Sequence, residues 1–571
     1  MTNTHPRTSP IPGHVPEGLI ISTAEALREA ADVYAASGLA PIVHKMQAMT
    51  PGPRRKLSFR TLILLSIAYK SQVPKRDYLL MDLARWANTL NAAQRDRVGL
   101  PPTWKYHQLQ TAFKALCALL EPENSDRRVG PDGVVFNPRR PDLIGLDHFA
   151  NALVGAAARL PGWRGALPPT AVQAIDSTDI ESHARVHAWR KTPDSLDEYR
   201  PDDAKAGEEW SDDAKHWPKT GMDGRLIVSA DSQARTGWRT RTQTRDVNAF
   251  NGYDAHLIVD AGNPGLRFWV PLIRGMLVRP AGSYKAAAGL DLLDSLHGGI
   301  RFTHLTADRG YSYAKPDAWA NPLAARGLIY VHDLHTAQRR PHPSMSMAGV
   351  FWLDGSLFPD ALPNRLRKLP SFKARMSIDE QDKLHALYDE RAQWAFVANR
   401  RYDNGDVQYK GPARAGHIRC ANYGPSQRLA AHVPRSRCTP GTACACAATK
   451  VIPSTESAWE RQRYPYGSTK WATYYGLRNL VESQNAQLKY WRGSMRRHST
   501  MLFGTTANTL VLAFNCIAVN LSMLRDAYGE TDPTALDYTT DLVPRRRRAP
   551  KTTPRHLRGT GAARHRAGQP T

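Results

Sequence analysis

Apolar positions change period along the chain. From residue 23 to about 120 the pattern is helical. Residues 57–69 (LSFRTLILLSIAY) are apolar on nearly every side and predict a core helix. Residues 76–90 are amphipathic, and Pro101-Pro102-Thr103 predicts the start of a helix through Tyr106, Leu109, Phe113 and Leu116. One more helix is expected at 143–160. Beyond it the pattern shifts to short apolar runs between turn formers. Residues 171–176, 227–230, 238–244, 256–259, 268–273 with 276–278, 302–307 and 328–331 read as strands. Residues 283–296 read as a helix with Leu290, Leu293 and Leu296 inward. Further on, 349–353 and 394–398 read as strands and 378–388 as a helix.

Acids stand where two of these strands are expected to end. The run 171–176 (AVQAID) closes on Asp176, followed by the turn formers Ser177, Thr178 and Asp179. The run 302–307 leads into Asp308-Arg309-Gly310-Tyr311, and Gly310 permits a sharp exit. By themselves these acids could equally cap turns, or pair with Arg309 in the case of Asp308. Residues 474–491 (YYGLRNLVESQNAQLKYW) predict a helix. Spacings of three, four and seven put Tyr475, Arg478, Glu482 and Lys489 on one face, with Leu477, Leu480, Val481 and Leu488 inward. The plain reading of that face is a solvated stripe with an i,i+4 pair, Arg478–Glu482. Glu482 lies 174 residues beyond Asp308, more than one strand and one helix need, so an insertion is expected at about 335–450.

Composition narrows the partner. The 571 residues are 42% hydrophobic, enough for real cores, with a formal net charge of +25. Such a balance favours a polyanion, nucleic acid or an anionic membrane. The longest apolar span, 505–524, is interrupted by Asn508, Asn515 and Asn520 and reads as a buried helix. The N-terminus has no apolar core of a signal peptide. Six cysteines in so long a chain make no disulfide scaffold, which fits a reducing cytoplasm. The expected partner is therefore nucleic acid and not membrane. Residues 1–18 and 531–571 are expected to be disordered. The tail from Val543 carries no acid and reads as a basic arm for phosphate contact. The acidic stretch 194–213 reads as a solvated loop, and Arg492, Arg496 and Arg497 with Tyr490 and Trp491 as a basic, aromatic stretch suited to DNA. Four of the six cysteines, Cys420, Cys438, Cys444 and Cys446, fall close together. Clustering favours a structural zinc, while the absence of a C-x-x-C pair leaves unpaired thiols as the alternative.

The run Tyr475-x2-Arg478-x3-Glu482-x6-Lys489 resembles the Y-R-E-K pattern of bacterial insertion-sequence transposases of the DDE superfamily. Ala307-Asp308-Arg309-Gly310-Tyr311 resembles the second-aspartate motif of that group, and Gly252-Tyr253 with His256 resembles its G-Y-x-x-H strand entry. The resemblance covers roughly 171–524, with the insertion poorly matched. It implies an α/β fold: a ribonuclease-H-like catalytic core, a helical N-terminal domain, and a β-rich insertion before the glutamate helix. The expected division is a helical DNA-binding domain at 19–165, the core at 166–335 and 451–530, and the insertion at 336–450. Asp176, Asp308 and Glu482 would be catalytic ligands of two Mg²⁺ (or Mn²⁺) ions, with Asp179 the alternative first acid. Tyr475, Arg478, Lys489, Arg492 and Arg309 would contact DNA. The implied partner is double-stranded DNA, transposon ends and target, gripped by a homodimer. The implied activity is hydrolysis at the element's ends followed by transfer of the 3′-OH. A catalytically silent, transposase-derived DNA-binding protein and a resolvase-type nuclease are the competing readings.

Overall fold

The computed structural model describes residues 21–528 apart from 50–54, 122–127, 131–132, 136–142, 160–168, 185, 189–218, 221–225, 230, 232, 240–247, 265–268, 299, 374–375, 459 and 497–498. The expected disordered ends, the acidic stretch 194–213 and the boundary expected near 161–169 lie mostly or wholly outside these residues. The chain is mixed α/β.

Seven helices come first: α1 (Thr23–Ala36), α2 (Ala40–Ala48), α3 (Phe59–Gln72), α4 (Leu80–Asn88), α5 (Ala92–Val98), α6 (Tyr106–Leu120) and α7 (Leu146–Ala157). Ser22 and Glu25 start α1 with a reciprocal capping box. Helix α3 is buried along almost its whole length because α1, α6 and the C-terminal helix pack around it. The expected helix 76–90 begins only at Leu80. The buried ammonium of Lys70 donates to the carbonyls of Pro74 and Arg76 at 2.7 Å each and holds that stretch as a turn.

The main sheet contains β1 (Val172–Glu181), β2 (Arg235–Arg239), β3 (Asn248–Gly262), β4 (Ile273–Pro280), β5 (His304–Ala307) and β6 (Ile329–His332). Its spatial order is β6-β5-β1-β3, with β2 and β4 sharing the far side of the long β3. Strands β1, β3 and β4 form an antiparallel meander, and β5 and β6 lie parallel to β1. Helix α8 (Lys285–Asp294) crosses over between β4 and β5. The expected strand 268–273 starts only at Ile273 and merges with 276–278 into β4, while of the expected strand 238–244 only Trp238 and Arg239, both in β2, lie among the described residues.

Strand β1 departs most from expectation. It does not stop at Asp176 but runs on to Glu181, because Ser177–Glu181 continue the ladder with β3 down to Gly252. The turn propensity of Ser-Thr-Asp loses to ten consecutive cross-strand pairings. Gly252 is required at the end of that ladder, since a Cβ there would stand 2.1 Å from the Ile180 carbonyl oxygen.

The C-terminal helix, Thr505–Tyr528, is long and apolar enough to cross a membrane, yet it is wholly buried between β4 and helices α3 and α7. Its asparagines are satisfied inside the protein. Asn520 both accepts from the N–H (2.9 Å) and donates to the C=O (2.8 Å) of Ile273, completing an edge of the sheet. Arg525 is buried against Glu29 of α1 at 2.5 Å. One apolar cluster runs from α1 through the sheet to this helix. The helical segment expected as a separate module therefore shares its core with the rest of the protein.

The insertion holds two three-stranded antiparallel sheets (His342–Pro343, Val350–Leu353, Ser356–Pro359; and Val397–Arg401, Val407–Lys410, Thr449–Ile452) and the helix Ile378–Ala392. The strand expected at 394–398 begins at Val397.

Candidate active site

Parallel pairing of β5 with β1 sets Ala307 beside Ile175, so the next residues, Asp308 and Asp176, emerge side by side. Neither acid is consumed locally. Asp308 precedes the short helix Arg309–Ser312 without making a capping hydrogen bond. Arg309 turns away to Asp333 at 3.4 Å. Asp176 accepts one backbone N–H, that of Ser177, at 2.8 Å. The third acid comes from the segment expected as one helix. That segment is instead four pieces: an α-helix Thr469–Tyr475, a 3₁₀ turn Gly476–Arg478, an α-helix Asn479–Ala486 and a π turn Gln487–Trp491. Asn479–Ala486 packs on β1 and β3. Leu477, Leu480, Val481 and Leu488 face inward as expected.

Arg478 joins the three acids. Its guanidinium lies 3.0 Å from Glu482, with both side chains largely covered (12% and 29% exposed). The same charge acts on Asp308 and Asp176. Burial pushes the Asp176 carboxyl up to about 6. Arg478 and Lys285 pull it down, the Asp308 carboxylate pushes it further up, and the Ser177 N–H opposes the rise. Tyr475 is buried, stacked on Trp471 (4.7 Å, 19°), with the Arg478 guanidinium 5.7 Å from its ring. It supports Arg478 from beneath instead of opening to a ligand.

A second charged group lies alongside. Asp179 and Asp254 are direct cross-strand neighbours. Lys489 reaches Asp179 at 3.1 Å. Burial raises the Asp254 carboxyl, against the Gly282 N–H and Lys285. So Asp179, the alternative first acid, already has a lysine partner.

Three residues of the site had no role assigned from sequence: His256 and Tyr311, which appear there only inside motifs, and Lys285. His256 is fully buried, hydrogen-bonded to the Tyr311 hydroxyl at 2.7 Å, and kept neutral by burial, its pKa lowered to about 3. Tyr311 packs on Trp319 (5.2 Å) and fixes the turn that follows Asp308. The two motifs G-Y-x-x-H and D-R-G-Y thus meet through their last residues, a signal their shared aromatic and imidazole ends carried. Lys285 had no sequence signal. It lies over Gly310, where a Cβ would stand 3.2 Å from its Nζ, so this glycine makes room for a lysine instead of providing a sharp exit.

Arg492, expected to contact DNA, is buried. Its side chain is 1% exposed, bound to Asp526 at 2.7 Å and to Ser522. Its N–H closes the π turn on the Gln487 carbonyl at 2.8 Å. It anchors this segment to the C-terminal helix.

The four clustered cysteines form a separate site in the insertion. All four Sγ atoms lie within 4.8 Å of one another, with Cys420–Cys444 at 3.6 Å and Cys438–Cys446 at 3.7 Å. These are too long for disulfides. A tetrahedron with metal–sulfur bonds of about 2.3 Å has edges of about 3.8 Å. The cluster can hold a metal ion. Asn422 braces it, donating to the carbonyls of Thr439 (3.1 Å) and Thr442 (2.8 Å) and lying 3.5 Å from the Cys444 sulfur. The chain matches no protein-family model and no curated protein.

Proposed function

We propose that this protein is a DDE-type DNA transposase with a ribonuclease-H-like core, cutting phosphodiesters at the ends of an insertion sequence and joining the freed 3′-OH to target DNA. The observation that carries the proposal is the convergence of Asp176, Asp308 and Glu482, from three distant stretches of chain, on one arginine. The meander followed by two parallel strands supports the fold reading.

The donor set fits hard divalent cations. Three carboxylates act on the one Arg478 guanidinium, and one of them is lifted to about 6, so added positive charge at Asp176 would be favourable. All-oxygen ligands select Mg²⁺ or Mn²⁺, which in such sites polarise a phosphodiester and activate the attacking oxygen. Asp176, Asp308 and Glu482 would hold the metal. In its absence Arg478 supplies the compensating charge. Lys285 at the pocket and Lys489 beside it carry the sign needed to attract a DNA backbone. Tyr475 and Trp471 keep Arg478 aimed inward, and the Tyr311–His256 bond keeps Asp308 at the end of β5. The four sulfurs, far from this oxygen pocket in chemistry, suit a structural zinc.

The test is excision in cells. The gene with its native flanking DNA is placed on a donor plasmid, beside an Asp308→Asn version. Excision by the wild type alone supports the proposal. No excision from either, with DNA binding retained, would leave the silent DNA-binding protein as the better reading.

A further inference from the structure

The lobe around the four cysteines is one-signed. Between Asp406 and Glu456 the chain carries seven lysines and arginines and no acid. Two of these arginines build the lobe itself. Arg419 donates to the carbonyls of Val433 (3.0 Å) and Ala431 (2.9 Å). Arg414 donates to the Ala447 carbonyl at 2.8 Å and sits over the Tyr423 ring. Arg428, Arg435 and Arg437 are different. They are exposed and, among the described residues, enter no ion pair. Arg435 and Arg437 stand three and one residues before Cys438, and both line a cleft of about 920 Å³ that also reaches Cys438 and Cys444. Arg365 lines the same cleft, its charge already taken up by Glu390.

Residues 428–448 contain no helix or extended strand; an isolated parallel bridge to Arg419 holds the backbone at Arg435, and the sulfur cluster with the Asn422 bridge ties down the segment that follows it. Exposed cations with no acid in the surrounding stretch are free to take a polyanion. The spread of exposed guanidinium groups, without aromatic side chains between them, fits phosphates more than stacked bases.

We propose that the lobe at 411–448 is a docking surface for the phosphate backbone of duplex DNA, shaped by a metal ion on Cys420, Cys438, Cys444 and Cys446. This rests on the reading of DNA as the partner and adds a second contact surface, outside the carboxylate pocket.

The test compares full-length wild type with an Arg428→Ala/Arg435→Ala/Arg437→Ala variant, by fluorescence anisotropy on a labelled DNA duplex across a salt series. Removing three phosphate contacts should lower the slope of log K against log salt by about 2–3 and weaken binding by about ten- to a hundred-fold at low salt. Zinc content, measured by atomic absorption, should stay at the wild-type level in this variant. Cys444→Ser should lose zinc and lose the same part of the salt slope, whereas Asp308→Asn should keep both. Wild-type affinity and slope in the triple-alanine variant would overturn the proposal, as would tight DNA binding by a zinc-free Cys444→Ser chain. Failure here is separable from failure of the transposase reading, which is decided by excision and not by duplex affinity.

Discussion

Asp176→Asn should make the protein more stable while removing its activity. The carboxyl ordinarily titrates near 3.8 and is held at about 6 in the fold. The folded state therefore prefers the protonated acid. This penalty is absent below the unfolded value, grows from about pH 4 to pH 6, and is complete above pH 6. At 1.36 kcal/mol per unit the full shift costs about 3 kcal/mol above pH 6, and about half of that at pH 5. The value already includes the help from Arg478 and Lys285, so burial alone costs more. Asparagine keeps the shape and cannot ionise. With about 0.9 kcal/mol/K of unfolding entropy for about 420 ordered residues, the melting point should rise by about 3 °C at pH 8 and by about half as much at pH 5. The assay is differential scanning fluorimetry of both proteins at pH 5 and pH 8 in buffer free of divalent ions. Added Mg²⁺ should raise the wild-type melting point and leave Asp176→Asn unmoved. A variant that melts below wild type at pH 8, or a gain independent of pH, would refute the argument that this acid sits desolvated among like charges.

Asp176→Ala should abolish excision while Asp179→Ala, which removes an ion-pair partner of Lys489, retains it; equal loss in both would transfer the role of first ligand to Asp179. Arg478→Gln leaves three carboxylates facing one another, so without divalent ions it should lose about 3 kcal/mol, read by urea denaturation, and regain most of it in Mg²⁺. A variant as stable as wild type in metal-free buffer would mean that Arg478 does not compensate the acids. Glu29→Gln strands the Arg525 charge, 0% exposed in the core, and should cost about 3–5 kcal/mol with no change in zinc content; a loss below 1 kcal/mol would show that water reaches this pair.

Much of the fold was legible because apolar periodicity reports burial, and burial is what the core strands and helices have in common. Residues 304–307, 329–332 and 350–353 are short apolar runs and became strands nearly where expected. The misses share a cause in tertiary contacts. Ser177–Asp179 look like a turn and are held in a strand by β3. Residues 76–79 look helical and are held off the helix by the ammonium of Lys70. Arg492 looks like a surface cation, and the distant Ser522 and Asp526 draw it inward. Lys285 was invisible because nothing in a helix sequence tells which strand end its tip will reach.

The four-residue pattern at Tyr475, Arg478, Glu482 and Lys489 was legible for a reason that the structure revises. Placing all four on one face assumed a continuous helix. The backbone instead tightens at Gly476–Arg478 and widens at Gln487–Trp491, where the Arg492 N–H skips to Gln487. Arg478 and Glu482 still meet, because the tight turn delivers the arginine directly onto the α-helical segment that follows. Lys489 is rotated away from Glu482 by the π turn and lands on Asp179 of β1. The spacing therefore encodes two destinations and not one stripe: an arginine for the carboxylates that converge at Asp176, and a lysine for the pair Asp179–Asp254 beside them. Gly493 is part of the same device. A Cβ there would stand 2.3 Å from the Leu488 carbonyl, so the wide turn closes only over a glycine. A straight helix with the same residues would leave Asp179 and Asp254 facing each other without Lys489.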